Sequence, residues 1–175
     1  MAAWTHIAHD SLSLPASSVT WSSISGSYDH LLIKISARSD RSIDIDHIVG
    51  IFNSDTGSNY SYTRLDARTS TPATARYSSQ TALGYWPIGG DDVTTDTFGT
   101  VQAWIPHYAN LANYKQVSIW SAAENASAVD NEWGIRSTAG LWSDTAAITQ
   151  IDLSLDGGAD FMAYSTFDLY GITGA

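Results

Sequence analysis

Ala146-Ala-Ile-Thr-Gln-Ile-Asp-Leu-Ser-Leu155, followed by Asp156-Gly157-Gly158 and then by Ala159 to Ile172, is the stretch on which the fold is read. Ile151, Leu153 and Leu155 alternate with Gln150, Asp152 and Ser154, and a period of two sends one set to a core and the other to water. Asp156-Gly157-Gly158 offers residues that tolerate positive φ, as a tight turn between twisted strands requires. The pattern predicts a β-hairpin. In its return strand Phe161, Ala163, Phe167 and Leu169 share one face while Met162, Tyr164, Tyr170 and Ile172 share the other. Large side chains on both faces predict a strand covered twice, by a second sheet and by a neighbour, at a central position or a subunit contact.

Composition agrees with sheet. Of 175 residues, 43% are apolar and only 15% charged. Glutamate occurs only at 124 and 132 and lysine only at 34 and 115, so straight-chain helix formers other than alanine are scarce. A chain of this length is expected to form one domain, spanning 1–175, that buries roughly 70% of its unfolded surface. The formal net charge of −10 argues against nucleic acid, because neutralising phosphates needs a basic surface, and against anionic lipid. Cysteine is absent, which removes disulfides, thiolate metal sites and cysteine nucleophiles and leans toward assembly in a reducing cytoplasm. The first residues lack the pattern of a signal peptide, and no run reaches the roughly 20 apolar residues of a membrane span.

Along the chain, Trp4 to Leu14 reads as a short strand, with residues 1–16 an outlying strand or arm. Val19 to Ile24 follows, then His30 to Arg38 as the clearest strand, then Ser42 to Phe52 with its phase broken near His47-Ile48, which suggests a bulge. Asn53 to Asn59 is a turn cluster. Arg64 to Gln80 is polar, contains Pro72, shows no period and reads as the longest loop. Thr81 to Ile88, Phe98 to His107, Tyr114 to Ala122 and Trp133 to Trp142, the last interrupted at Gly140, complete the set before the hairpin. About nine or ten strands without an amphipathic helix make an all-β, single-domain antiparallel β-sandwich or barrel.

Chemistry is sparse. Of five histidines, His6 and His9 are three apart, a spacing that in a regular strand sends them to opposite faces and makes them poor co-ligands; His30, His47 and His107 are scattered, and local hydrogen bonding is expected for all. Asn53-x-Asp55-x-Gly57-x-Asn59 resembles half a calcium loop, but its twelfth position is Arg64 rather than glutamate, and a polar turn is preferred. Paired carboxylates occur at Asp44/Asp46 and Asp91/Asp92; Asp44/Asp46, on one strand face, could approach the carboxyl spacing of a glycosidase, yet i and i+2 on a solvated face is ordinary. Nucleophile-elbow, Walker and Rossmann patterns are missing. No catalytic, cofactor or metal residue is expected. The excess that invites function is seven tryptophans, Trp4, Trp21, Trp86, Trp104, Trp120, Trp133 and Trp142, most of them expected in the core, with Trp4 as the best interface anchor. The interface set is Trp4, the loop arginines Arg64, Arg68 and Arg76, and Tyr164 and Tyr170 of the last strand.

Val19-Thr-Trp-Ser-Ser-Ile24, Tyr28-Asp-His-Leu-Leu-Ile33, Ala37-Arg-Ser-Asp40 and Phe52-Asn-Ser-Asp-Thr-Gly-Ser-Asn-Tyr60, with Trp142-Ser-Asp-Thr-Ala-Ala-Ile-Thr-Gln-Ile151 and Phe167-Asp-Leu-Tyr-Gly-Ile172, resemble small tailed-bacteriophage virion proteins over nearly the whole chain. The resemblance implies a jelly-roll-like virion component, either a capsid decoration (cement) protein or a tail-fibre head, and carries over no active-site residue. The reading preferred here is a non-enzymatic cement protein at the virion surface, made in the host cytoplasm, seated on the major capsid protein as a homotrimer. The alternatives are a receptor- or carbohydrate-binding head that takes a host glycan, and a glycan depolymerase using aspartates.

Overall fold

The computed structural model describes residues 3–68, 71–125 and 134–174, and side chains at 68 and 71 are left aside. Twelve strands, and no helix among the described residues, form two antiparallel sheets. They are β1 (Ala3–Ser11), β2 (Ser18–Trp21), β3 (His30–Ala37), β4 (Ile45–Phe52), β5 (Tyr60–Arg68) and β6 (Thr71–Gln80). Then come β7 (Leu83–Gly89), β8 (Gly99–Pro106), β9 (Lys115–Ala123), β10 (Gly134–Trp142), β11 (Ile151–Leu155) and β12 (Thr166–Thr173). The large sheet runs β1-β12-β3-β8-β9-β10-β5-β6 and the small one β2-β11-β4-β7.

Successive strands change sheets in a set order. β2, β4, β7 and β11 build the small sheet; between them the chain crosses to the large one as β3, as the pair β5 and β6, and as β8. Interleaving of this kind, in two four-stranded layers, is that of an eight-stranded jelly roll. The hairpin β9–β10 is inserted between β8 and β5, and β12 and β1 extend the sheet beyond β3. The core lies between the layers. Leu31, Ile33, Val101 and Ile119 from the large sheet meet Trp86, Ile48, Phe52 and Leu153 from the small one, all fully buried or nearly so. Clean alternation in β8 and β9, buried at every second residue, is what burial of one sheet face demands.

Several expectations are corrected. The terminal segment is not a hairpin: β11 pairs with β2 and β4, whereas β12 pairs with β1 and β3. The turn at Asp156–Gly158 does form, with Gly157 and Gly158 at φ +97° and +76°, but residues 159–165 then carry the chain from one sheet to the other. Phe161, buried against Phe167 with ring centroids 4.9 Å apart, pins that crossing. Local alternation predicts strands; it carries no information on which sheet receives the second.

Arg64 to Gln80 is likewise not a loop. It is the hairpin β5–β6, which raises the strand count above nine or ten. Its polarity follows from place, since β6 is the outer edge of the large sheet. Pro72 is tolerated there because an edge strand leaves amides unpaired.

Third, Asp46 is not on a solvated face. β4 buries Asp46, Ile48, Gly50 and Phe52, and the expected break near His47-Ile48 lies between Ile48 and Gly50 instead. There β7 carries the extra residue and Tyr85 adopts φ +67°. β10 runs unbroken through Gly140, where a Cβ would sit 2.5 Å from Leu83 Cδ1. Within this first segment β1 is the outermost strand of the large sheet, paired with β12 along its length. Trp133 and most of the Glu124–Asp130 loop lie outside the described residues.

Candidate functional site

The outer face of the large sheet is set by register. Cross-strand partners place Leu65, Ser137, Trp120, Gln102, Lys34, Asp168 and His9 in one row from β5 to β1. The adjoining rows contribute Ile135, Ala122, Ala139, Trp104 and Leu32. From β3 to β5, among the described residues, the only lysine, arginine or acidic residue on this face is Lys34. Trp4, Trp120, Ile135 and Leu65 are 58%, 55%, 54% and 52% exposed. Single exposed apolar residues are common on any protein; four on one outer sheet face exceed that scatter.

Buried charges, by contrast, are consumed by the fold. Asp66 and Arg136 are both buried and paired through Arg136 Nε and Asp66 Oδ1. Arg136 Nη1 also donates to Tyr85 O at 3.1 Å, and Arg64 Nε lies 3.4 Å from Asp66 Oδ2. The Arg64 guanidinium sits 5.0 Å over Tyr85 and 5.6 Å over Tyr77, an arrangement that favours a cation through the ring quadrupole. Arg38 donates to Thr94 O, Asp91 O and Val93 O at 2.8, 3.0 and 3.1 Å and thereby holds the 90–97 loop. Lys115 is caged by Asn110 O, Asn113 O and Thr145 O at 2.7, 2.8 and 3.0 Å, and burial pushes its ammonium below its ordinary pKa despite Asp144.

Asp46 accepts from Ser39 Oγ at 2.7 Å and the His47 amide at 2.8 Å, while Asp44 is exposed, so the two face no common cleft. The Asn53–Asn59 segment is a polar turn. Asp55 accepts from Trp142 Nε1 at 2.7 Å, Asn59 Nδ2 at 2.9 Å and the Gly57 amide at 2.8 Å. The Trp142 bond above all, with that of Asn59, holds this carboxyl below its usual range.

The anticipated interface residues are dispersed. Trp4 and Tyr170 meet on the outer face, ring centroids 6.2 Å apart, near Lys34. Tyr164 stands elsewhere, 80% exposed and at φ +72°, on the rim of a groove of about 420 Å³ lined by Arg38, Asp91, Asp96 and Met162. Arg76 is exposed at the β6 edge, its Nη1 3.4 Å from Thr63 Oγ1, and Arg68 ends β5. Arg64 turns inward to Asp66 and the tyrosines, so it lines no outer surface. Of the seven tryptophans, Trp21, Trp86 and Trp142 are core, Trp104 is half-buried, and Trp4 and Trp120 are exposed.

One grouping reverses its expectation. His6 and His9 lie on the same face, with His6 Nε2 and His9 Nδ1 at 3.1 and 2.8 Å from Asp168 Oδ1. The cause is a β-bulge: His6 pairs with Tyr170 and Ala8 with Leu169, leaving Ile7 as an extra residue that shifts the alternation by one. Burial pushes the Asp168 carboxyl up, but the two histidine hydrogen bonds and their charge attraction outweigh it and leave it lowered.

Comparison with known proteins yields no matching family model and no matching curated protein. Among solved structures, the chain is similar to the alginate lyase Aly36B at 7% identity and TM-score 0.29, over 92% of this chain and 78% of that one. A mutant of the same lyase in complex with alginate tetrasaccharide gives 9% identity and TM-score 0.21, over 93% of this chain and 74% of that one. Likeness at this level carries no argument about activity.

Proposed function

We propose that this chain is a non-enzymatic structural protein of a bacteriophage virion, a decoration (cement) protein that stabilises the head as a homotrimer at its surface, with the outer face of the large sheet as its contact surface. The observation that carries this reading is that face: Trp120, Ile135 and Leu65 are each more than half exposed among outward side chains that are mostly serine, threonine, alanine and glutamine, and Trp4 is equally exposed at the β1 margin beside Lys34. Charge depletion with aromatic enrichment is the composition of an interface core. The virion assignment rests on the resemblance of the motifs quoted above. The surplus of negative charge, −10 over the chain, suits steering toward a basic patch of the major capsid protein.

Sedimentation of the wild type and of Trp120→Asp/Ile135→Asp, alone and with capsids stripped of decoration protein, tests the reading. Trimer mass or capsid co-sedimentation is expected for the wild type, and both are expected to be lost in a variant that keeps its β-sheet circular dichroism. A wild type that is monomeric and ignores capsids would overturn it. The second reading, a carbohydrate-binding head of a tail fibre, is favoured by the exposed Trp120 ring on a flat sheet, a platform on which sugars stack. Saturable quenching of tryptophan fluorescence by a host glycan, lost in Trp120→Ala, would select it.

A further inference from the structure

We infer that His6, His9 and Asp168 form a binding site for one divalent transition-metal ion of the zinc class, fastening edge strand β1 to β12. The three donor atoms, His6 Nε2, His9 Nδ1 and a carboxylate oxygen of Asp168, lie within 4.8 Å of one another. Ligands about 2.0–2.1 Å from a tetrahedral zinc stand ~3.3 Å apart, and the two histidine–Asp168 distances of 3.1 and 2.8 Å fall just inside that figure. Opening them by a few tenths of an ångström needs only small ring and carboxylate rotations. Two imidazoles and one carboxylate suit Zn²⁺, Co²⁺, Ni²⁺ or Cu²⁺ rather than Mg²⁺ or Ca²⁺, which prefer all-oxygen shells.

The framework is prearranged. The bulge at Ile7 is what places both histidines on the outer face, and His9 stands directly opposite Asp168 in the ladder. Tyr170, centroid 5.1 Å from the His6 ring, and Trp4, 6.2 Å from Tyr170, brace one side of the cluster. Asp168 Oδ1 is the shared partner of both imidazoles. Each neutral imidazole would bind the ion through the tautomer whose proton sits on its other ring nitrogen, leaving His6 Nε2 and His9 Nδ1 with lone pairs for the metal. Both histidine side chains are 48% exposed and Asp168 25%, so an ion has direct access. Three protein ligands also leave a coordination position open to water or another donor.

The test uses the untagged full chain, since a polyhistidine tag would bind the same ions. Titration with Co²⁺ is expected to give the visible absorption bands of a tetrahedral or five-coordinate centre at one ion per chain. Zn²⁺ is expected to displace them and to raise the melting temperature, reversed by EDTA. His6→Ala, His9→Ala and Asp168→Asn should each weaken binding by about tenfold to a hundredfold or more, while His107→Ala leaves it unchanged. Deletion of Ile7 removes the extra residue but leaves the two histidines two apart on one face, still opposite Tyr170 and Asp168, so this variant should keep its binding. Absence of bands and of Zn²⁺ uptake in the wild type would overturn the inference, as would binding that survives Asp168→Asn and either histidine change.

Discussion

Removing the Asp66 carboxylate puts the interior of the β5–β10 region to a sharp test. Asp66 is 3% exposed, Arg136 is 3% exposed, and both Arg136 and Arg64 converge on the same carboxylate. In Asp66→Ala the two guanidiniums would face each other without an anion between them. Arg136 would keep its bond to Tyr85 O, and Arg64 would keep the tyrosine faces. Breaking one side of a buried pair costs about 3–5 kcal/mol. With about 2–4 °C per kcal/mol for a domain of this size, the melting temperature should fall by roughly 6–20 °C. Desolvation cuts the other way when both partners of the buried pair leave: Asp66→Leu/Arg136→Met should cost less than Asp66→Ala alone, because the more deeply buried guanidinium goes with its carboxylate and only Arg64, held over Tyr77 and Tyr85, loses its anion. Denaturant unfolding of the wild type, both single variants and the double variant supplies the cycle. If Asp66→Ala costs no more than the roughly 0.5 kcal/mol of an ordinary surface change, or if the double variant is the worst of the set, the reasoning fails.

Trp142→Phe keeps an aromatic ring against Phe52 and Tyr60 but removes the indole donor to Asp55, and should cost about 1–3 kcal/mol. Since the folded Asp55 carboxyl is held below its ordinary 3.8, its contribution is complete above that value and is lost as pH falls through the lower folded value. The gap between wild type and Trp142→Phe should therefore narrow in acid denaturation curves; a gap constant with pH would rule the bond out as its source. Lys115→Met fills the lysine's volume but strands three carbonyl acceptors, and about 2–3 kcal/mol of stability should go with the donor, read by urea unfolding. Gly90→Ala would bring a Cβ to 2.0 Å from Ile43 O, backbone that cannot step aside cheaply. A loss of about 1–3 kcal/mol is expected, and melting unchanged by this substitution would show that the 41–44 and 90–92 segments are loosely held.

Much of the sheet content is legible from local pattern, because one buried face imposes a period of two on β3, β8 and β9. Lys115 falls in that period with Val117 and Ile119, and the structure buries it with them. What pattern cannot carry is pairing. The strands at 151–155 and 166–173 are adjacent in sequence yet belong to different layers, because Phe161 anchors the crossing between them. The β5–β6 hairpin stays hidden for a different reason: an edge strand needs no apolar stripe, so its threonines and serines look like loop. The exposed outer face is partly visible in advance, since Trp120 shares the wet side of its strand with Gln116 and Ser118. The histidine cluster is not visible at all. One unpaired residue at Ile7 inverts the alternation, and nothing in Trp4-Thr-His-Ile-Ala-His9 marks it; Asp168, more than 150 residues away, becomes a partner only through the ladder.

Because Ala3 faces Thr173 across neighbouring antiparallel strands, whatever joins the chain before β1 and whatever follows β12 departs through one doorway. Tension applied between those two exits would not shear the ladder as a whole but peel it like a zip, parting one backbone pair at a time from the Ala3 end. The first firm resistance would come at the bulge, where His6 and His9 grip Asp168. The domain is thus weakest along the margin nearest its two ends, and a single ion seated there would act as the stop that keeps the zip from running.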